Sequence, residues 1–341
     1  MGCRHAVQDH GIRARPTAKL TDLLILYLLQ AIVPLALIIW LAFAPPSTVG
    51  FWVQAIAAGL AFVMIGMVGI WTFPPWWALY ALGVFLAGVA VWSLSSRRRL
   101  TRWPQRPFEW LSFAGFLALG IYSADVIRLA LPAMIAPRER SVDLASPLGP
   151  GTYLIANGGA APSVNAHAGL LDPTVSAHRL YRGTAHGVDL VALDRWGLRA
   201  DGLMPTDPDR YVIFGRPVVA PCAGKVIAAV DGLPDLQVPQ MDQSHLAGNH
   251  IILRCADAEI LLGHFHKGSV RVRIGQKLVV GDAIAEVGNS GNTSEPHLHI
   301  NAQEPGTADA PFAGAPIPIR IEGRYLVRND RFVVSQQPRQ L

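Results

Sequence analysis

Four long apolar runs in the first 136 residues constrain the fold of this chain more than any other feature. They lie at about 23–44, 49–71, 76–94 and 110–131. Crossing about 30 Å of hydrocarbon takes about 20 helical residues, and each run is near that length. Tryptophans stand at the run ends, where interfacial anchors are expected: Trp52, Trp71, Trp76, Trp77 and Trp110. The pattern predicts a membrane-anchored protein whose N-terminal α-helical transmembrane region, residues 1–136, has about four spans.

Charges beside the runs predict two conflicting orientations in the membrane. The basic loop 97–106 favours a cytoplasmic position for the side opposite the termini. Basic residues before the first run favour instead a cytoplasmic N-terminus: Arg4, Arg13, Arg15 and Lys19. Three spans plus one re-entrant segment would also resolve the conflict. Few polar groups occur within the runs, so we expect an anchor rather than a transporter.

The remaining composition excludes some partners and leaves one question open. The net charge of +5 is modest and scattered, and no basic surface is interleaved with aromatic residues, so nucleic acid is not an expected partner. The three cysteines lack the C-x-x-C spacing of a zinc ribbon. Cys222 and Cys255 fall in predicted strands of the second half. They form either a disulfide, if that half lies outside the cytoplasm, or two buried small apolar side chains.

The second half of the chain is typical of a soluble, β-rich domain. After a linker at 137–150, short runs rich in Val and Ile alternate with turn residues, as in "RPVVAPCAGKVIAAV", "NHIILRC", "AEILLGHF" and "DAIAEVG". Such runs predict short strands joined by tight turns. We therefore expect an all-β domain at 151–330, followed by a tail at 331–341.

Two histidines one residue apart, in "PHLHI", are the strongest indication of chemistry. On a strand, His297 and His299 project from the same face about 6.6 Å apart, so both can reach one small site. His264 follows another predicted strand, and "HGVDL" supplies His186 and Asp189. Imidazoles with one carboxylate compose a catalytic zinc centre, whereas two half-exposed polar residues are the simpler alternative. No serine-nucleophile, phosphate-loop or dinucleotide motif competes with the zinc interpretation.

These motifs resemble those of the lysostaphin-type, or LytM-domain, zinc endopeptidases, which cut peptidoglycan peptides. The resemblance covers about 183–302, from "HGVDL" through "GRPVVAPCAGKV" and "LLGHF" to "VGNSGNTSEPHLHI". It implies a LytM-like domain of antiparallel sheets, of the duplicated-hybrid-motif type, with an open groove. By the same resemblance, Asp189 and His299 are Zn²⁺ ligands, while His264 and His297 are a non-ligating catalytic pair.

The chain departs from the family pattern at the third zinc ligand. The family has a histidine four residues before the aspartate, whereas Ala185 holds that position here and His186 precedes Asp189 by three. Residues i and i+3 of a strand point to opposite faces, so His186 chelates only through a bulge, which Gly187 permits. Spare donors upstream are Asn165, His167 and His178, and two long inserts beside the groove are expected at 194–211 and 232–247.

The function expected from these features is that of a membrane-anchored zinc metalloendopeptidase hydrolysing the peptide cross-links of peptidoglycan. The alternative, motivated by Ala185, is a catalytically degenerate LytM-like module that binds cell-wall fragments or regulates a partner hydrolase. A lipoyl- or biotinyl-like carrier also has hairpins such as "VGDAIAEVG", but no lysine occupies the hairpin tip. Both main hypotheses need the soluble domain on the periplasmic side of a bacterial inner membrane. The expected partners are the membrane, peptidoglycan peptides and other cell-wall enzymes.

Overall fold

A computed structural model describes residues 20–43, 47–96, 101–138 and 140–335, with side chains from residue 29 onward. Four α-helices lie in the N-terminal part: α1 (Leu20–Phe43), α2 (Thr48–Val68), α3 (Trp76–Ser96) and α4 (Pro107–Ala130). The last three are long and apolar enough to cross a membrane, and the described part of α1 is a shorter apolar helix. Three long apolar helices are therefore shown, and the number of about four spans stays a prediction.

The helices alternate in direction and pack around a small apolar core that includes Leu41, Phe51 and Leu86. The start of α2 is joined to the segment before α4, since Thr48 N donates to Thr101 O at 2.8 Å. The connection between α3 and α4 therefore lies at the end of the bundle away from the β domain. Within that basic loop, residues 97–100 lie outside the described residues, as do the basic residues before the first run.

Thirteen strands follow in the described part of the chain. They are β1 (Val142–Leu144), β2 (Gly151–Asn157), β3 (Val188–Leu193), β4 (Pro217–Val219), β5 (Gly224–Val230), β6 (His250–Cys255), β7 (Ala258–Gly263), β8 (Lys277–Leu278), β9 (Ala283–Glu286), β10 (Leu298–Gln303), β11 (Pro316–Ile317), β12 (Ile319–Ile321) and β13 (Arg331–Val334). Nine of them form one antiparallel sheet in the order β13-β2-β3-β10-β7-β6-β5-β8, to which β11 adds beside β10. Strands β4 and β9 pair separately.

The core of the β domain lies on one face of the main sheet, where alternate residues such as Leu190, Ile251, Leu262 and Ile300 are buried. This alternation follows from the two-residue period of a strand, and it places Asp189 and His299 on the opposite face. The prediction of a C-terminal antiparallel β domain is confirmed. The duplicated-hybrid-motif type stays a prediction.

Two strands lie outside the predicted domain limits of 151–330. Strand β1, in the predicted linker, pairs in parallel with β12, and β13, in the predicted tail, pairs with β2 at the edge of the main sheet. Both strands are three or four residues long. A segment that short shows too little alternation for its pattern to predict a strand.

A disulfide joins Cys222 to Cys255, with their Cα atoms 6.1 Å apart. Cys255 ends β6, as predicted, whereas Cys222 lies in the turn that precedes β5 rather than in a strand. Of the two interpretations that the sequence leaves open, the structure contains the disulfide. Disulfides persist mainly in oxidising compartments.

Replacing Cys222 and Cys255 together by alanine is expected to lower the thermal stability of the β domain. The bond closes a loop with a sequence separation of 33, and such cross-links contribute about 2–4 kcal/mol. For a domain of this size, that loss corresponds to a fall in Tm of about 4–16 °C in a fluorescence melt. Cys3→Ser is the control and should leave the Tm unchanged. Equal melting temperatures for the double variant and the wild type would contradict the expectation.

The β domain is seated directly on the ends of the helices. Trp76, at the start of α3, packs against Leu154, Val191 and Leu193 on the sheet face that also carries Asp189. Nearby, Ala130 and Ala133 at the end of α4 are buried against Val164, and Ala160 N donates to Ala133 O at 2.9 Å. The two parts of the chain therefore share a packed junction, rather than only the linker.

Candidate metal centre

Three neighbouring strands of the main sheet bring together the predicted residues of the site. His299 of β10 lies directly opposite Asp189 of β3 and Gly263 of β7, so the first two project from the same face. His264 directly follows β7 in a left-handed conformation with φ of 64°. That conformation is uncommon for a residue with a side chain. His297 directly precedes β10.

The carboxylate of Asp189 is the centre of the cluster. Its Oδ1 lies 2.8 Å from His299 Nδ1 and 3.5 Å from His297 Nε2. Its Oδ2 lies 2.9 Å from His167 Nε2 and accepts a hydrogen bond from Asn157 Nδ2 at 2.8 Å. Because Asp189 is only 4% exposed, these partners replace the water that its charge would otherwise bind.

The ring of His299 is held by a chain of hydrogen bonds on the side away from Asp189. Asn301, two residues further along β10, donates from Nδ2 to Gly183 O at 3.0 Å. This bond leaves Asn301 Oδ1 facing His299 Nε2, 3.0 Å away, as an acceptor. On the other side of the ring, His299 Nδ1 faces Asp189 Oδ1 at 2.8 Å.

His264 and His297 form a second pair beside this cluster, with ring centroids 4.7 Å apart. The Nδ1–H of His264 donates to Ser290 O at 2.9 Å, and that of His297 donates to Glu295 O at 2.9 Å. Each main-chain carbonyl fixes one tautomer, which leaves Nε2 of both rings free to accept a proton.

The surroundings shift the pKa values of these groups in different directions. Burial alone would raise the pKa of Asp189, but the charges of His167 and His297 and the hydrogen bonds of the cluster hold it well below its usual range. Burial lowers the pKa of His264 far below its usual value, helped by the nearby charges of His297 and His299. Burial also lowers the pKa of His299. Against burial, Asp189 raises the pKa of His167.

The structure places His167, and not His186, beside Asp189. Donor atoms of His167, Asp189 and His299 all lie within 4.8 Å of one another, and His186 is outside this group. Strand β3 begins at Val188 and His186 lies in the turn before it, so the bulge that Gly187 would permit is not seen and His186 is not on the strand face of Asp189. We therefore propose His167, from an upstream loop, as the third donor in place of His186.

His167 was one of three spare donors noted in the sequence, and nothing in its spacing distinguishes it from the other two. Asn165 has a supporting position instead: its Oδ1 accepts from His167 N at 3.1 Å and its Nδ2 donates to Gly187 O at 3.0 Å. His178 lies in a separate 3-10 turn and is not in the group. The link between residues 165 and 187 depends on chain folding that no local pattern encodes.

Gly187→Ala is expected to weaken metal binding by at least about tenfold, as loss of an outer support does. An added Cβ would overlap His299 Cε1, and it would lie only 2.9 Å from Thr184 O and 3.2 Å from His167 Cδ2. Both imidazoles must then move. Gly169→Ala is the matched control, because a Cβ there meets nothing within 4 Å. Zinc titration of the two variants tests this; equal affinities would contradict the packing described.

Both predicted inserts pack beside the loop that carries His297. Arg199 of the first insert is 3% exposed and its Nε donates to both carboxylate oxygens of Glu295 at 2.9 Å. In the second insert, the carboxylate of Asp235 accepts from Asn289 N at 2.6 Å. Since Glu295 O orients the ring of His297, the first insert helps to hold the geometry of the site.

Comparison with protein-family models finds a match over 211–311 to the description "Peptidase family M23". The chain carries an M23 peptidase domain. The resemblance to lysostaphin-type endopeptidases stated above is thereby confirmed. The matched part of the M23 domain contains His264, His297 and His299, but it begins after His167 and Asp189. A comparison with curated proteins found no match.

Solved structures similar to the M23 domain include three of different kinds. The catalytic domain of lysostaphin from Staphylococcus simulans is 21% identical, with a TM-score of 0.24, over 37% of this chain and 71% of that one. A zinc-containing peptidase from Vibrio cholerae is 19% identical, with a TM-score of 0.23, over 39% and 50%. The SpoIIQ–SpoIIIAH pore-forming complex is 14% identical, with a TM-score of 0.27, over 52% and 95%.

Proposed function

We propose that the protein is a membrane-anchored zinc metalloendopeptidase that hydrolyses peptide cross-links of peptidoglycan. The observation that carries this proposal is the convergence of His167, Asp189 and His299 in a chain with an M23 domain. Two imidazoles and one carboxylate are the protein ligands of one common class of catalytic zinc site. The imidazoles of His264 and His297 form a second pair beside these three residues.

A second observation supports the fit of these three donor residues to a divalent cation. His299 Nδ1 lies 2.8 Å from Asp189 Oδ1. A ring nitrogen and a carboxylate oxygen at that distance need a proton or a cation between them, and both residues belong to the group that could hold a metal ion. A metal-binding histidine usually bonds to a second partner through its other ring nitrogen, and Asn301 Oδ1 has that position at His299 Nε2.

A bound zinc ion would supply a Lewis acid that polarises the scissile carbonyl and activates water. His264, neutral near pH 7 because burial lowers its pKa, accepts the proton of the attacking water at Nε2 and returns it to the departing amine as the peptide C–N bond breaks. His297, whose Nδ1 is held by Glu295 O, is placed to donate from Nε2 to the developing oxyanion when its ring is an imidazolium. Ser290 O and Glu295 O keep the two rings oriented during these transfers.

The proposed location of the M23 domain is the periplasmic side of the inner membrane, which two observations support. The Cys222–Cys255 disulfide is compatible with an oxidising compartment. The second is the basic loop between α3 and α4, whose described residues 101–106 lie at the opposite end of the helix bundle; of the two orientations that the flanking charges predict, this loop favours the one with that end in the cytoplasm.

The test uses the full chain purified in detergent with bound zinc. Incubation with peptidoglycan should release new amino termini, detected by mass spectrometry of the products. Chelation of zinc should abolish this release and added zinc should restore it. His178→Ala, outside the cluster, should behave as the wild type. Absence of bound zinc together with absence of new amino termini would refute the proposal.

The second candidate is a degenerate M23 module that binds wall fragments or regulates a partner hydrolase. It is favoured by the alanine at position 185 and by the enclosure of the site, where Asp189 and His299 are each 4% exposed. Under this candidate, the chain sediments with peptidoglycan but releases no new amino termini, with or without zinc.

A further inference from the structure

Arg328 lies buried between the end of α2 and the candidate metal centre. Its side chain donates hydrogen bonds to four oxygens. From Nη1 it reaches Val68 O at the end of α2 at 2.9 Å, and from Nη2 it reaches Asn157 Oδ1 at 2.7 Å. The other two acceptors are Ala156 O and Ser163 O. All four are uncharged, so the guanidinium has no carboxylate in direct contact there.

Asn157 continues this connection to the metal centre. A bulge in β2 between Ile155 and Asn157 sets Asn157 directly opposite Asp189. With its Oδ1 engaged by Arg328, Asn157 Nδ2 donates to Asp189 Oδ2 at 2.8 Å. Asn157 Oδ1 also accepts from Ala166 N at 3.2 Å, next to His167. The amide of Asn157 therefore contacts both the carboxylate of Asp189 and the turn that carries His167.

Asn329, the residue after Arg328, bonds the turn at 328–329 to the end of α2 and to the connection between α2 and α3. Its Oδ1 accepts from Trp71 N at 3.0 Å, and its Nδ2 donates to Gly69 O at 2.8 Å and Gly66 O at 3.1 Å. With φ of 69°, Asn329 holds a left-handed turn that presents Arg328 towards the site. The turn is thus built on helix ends rather than on the sheet alone.

We propose that Arg328 and Asn157 are positioning residues that hold the carboxylate of Asp189 in place, with the end of α2 as their fixed support. The proposal rests on the metal centre of the proposed function. It assigns to the helices a part in the geometry of the site, beyond that of an anchor. Outer partners of metal ligands typically change metal affinity by about 10–100-fold when they are lost.

A lysine cannot substitute for Arg328 in this arrangement. Four acceptors in different directions need the planar fork of a guanidinium, whereas an ammonium has three donors on a single nitrogen. Burial lowers the pKa of Arg328 to about 10, and the charge of Asp189 opposes this shift. The two charges therefore stabilise each other across Asn157.

The experiment titrates the full chain in detergent with Co²⁺, whose visible absorption reports ligand geometry, and then displaces it with Zn²⁺. Asn157→Ala and Arg328→Met should each weaken Co²⁺ binding by about 10–100-fold and change the spectrum. Arg328→Lys should recover only part of the affinity. Asn329→Gly, which tolerates the positive φ, should weaken binding by about tenfold through the helix support alone.

Arg331→Met is the matched control, because Arg331 lies 4.3 Å over the ring of Trp76 but is not in the chain of bonds to Asp189. It should bind Co²⁺ as the wild type does. Wild-type affinity in Asn157→Ala, which leaves the main-chain bonds of Arg328 intact, would overturn the proposal while the metal centre stands. Wild-type affinity in Asn329→Gly alone would overturn the role of α2. A wild-type chain that binds neither ion would overturn the metal centre itself.

Discussion

A His299→Ala variant is expected to contain no zinc and to release no new amino termini from peptidoglycan. The ring of His299 is held on both sides, because its Nδ1 faces Asp189 and its Nε2 faces Asn301. Its removal deletes one of the three proposed ligands and takes from the buried carboxylate of Asp189 the imidazole 2.8 Å from its Oδ1. Zinc content should fall from about one ion per chain to background, measured by mass spectrometry of the metal.

His297→Ala separates the two roles proposed for the histidines. Because His297 is not in the donor group, this variant should keep its zinc while hydrolysis falls by about 100–10,000-fold, the usual contribution of acid–base catalysis. His245→Ala, at an exposed pair with Asp242, should change neither property. Full zinc content in His299→Ala would show that the ligand assignment is wrong.

The second large effect is expected from His167→Ala, compared with His186→Ala. Of these two histidines, only His167 has a donor atom in the group with Asp189 and His299. Loss of an outer partner typically weakens metal binding by about 10–100-fold, and loss of His167 should weaken zinc binding by more than that. His186→Ala should retain zinc, since His186 lies outside the donor group. Competition of each purified variant against a chelator of known affinity measures both values.

The opposite ranking of these two variants would restore the ligand expected from the family pattern. It would require the segment at Gly187 to rearrange when metal binds, so that His186 reaches the face of Asp189. The tight packing of Gly187 against His299 and Thr184 argues against that rearrangement. His167→Ala is thus also a test of whether the upstream loop has its position before metal is present.

The residues that the sequence identified are those that lie within short, regular segments. His299 follows from strand alternation, and Asp189, His264 and His297 follow from the family motifs at the ends of strands. The structure brings these four together. The antiparallel character of the domain follows equally from short apolar runs separated by turn residues.

The features that the sequence did not predict depend on contacts between distant segments. His167 and Asp189 are 22 positions apart along the chain, and a 3-10 turn with no strand or helix pattern carries the former. Arg328 and Asn157 are 171 positions apart, and an isolated arginine near a chain end is most often a surface residue. Their roles become visible only when the helices and the sheet are placed together.

The packed junction between the helices and the sheet would also limit where the proposed hydrolase can act. A domain on a long flexible stalk sweeps a hemisphere whose radius the stalk sets. Here Trp77 Nε1 donates to Trp196 O at 2.9 Å, and Asn329 bonds to the connection after α2. These contacts hold the β domain directly against the helix ends. Under the proposed function, the domain would reach its substrate by lateral diffusion in the bilayer at nearly constant height, and cleavage would be confined to the layer of wall nearest the lipid.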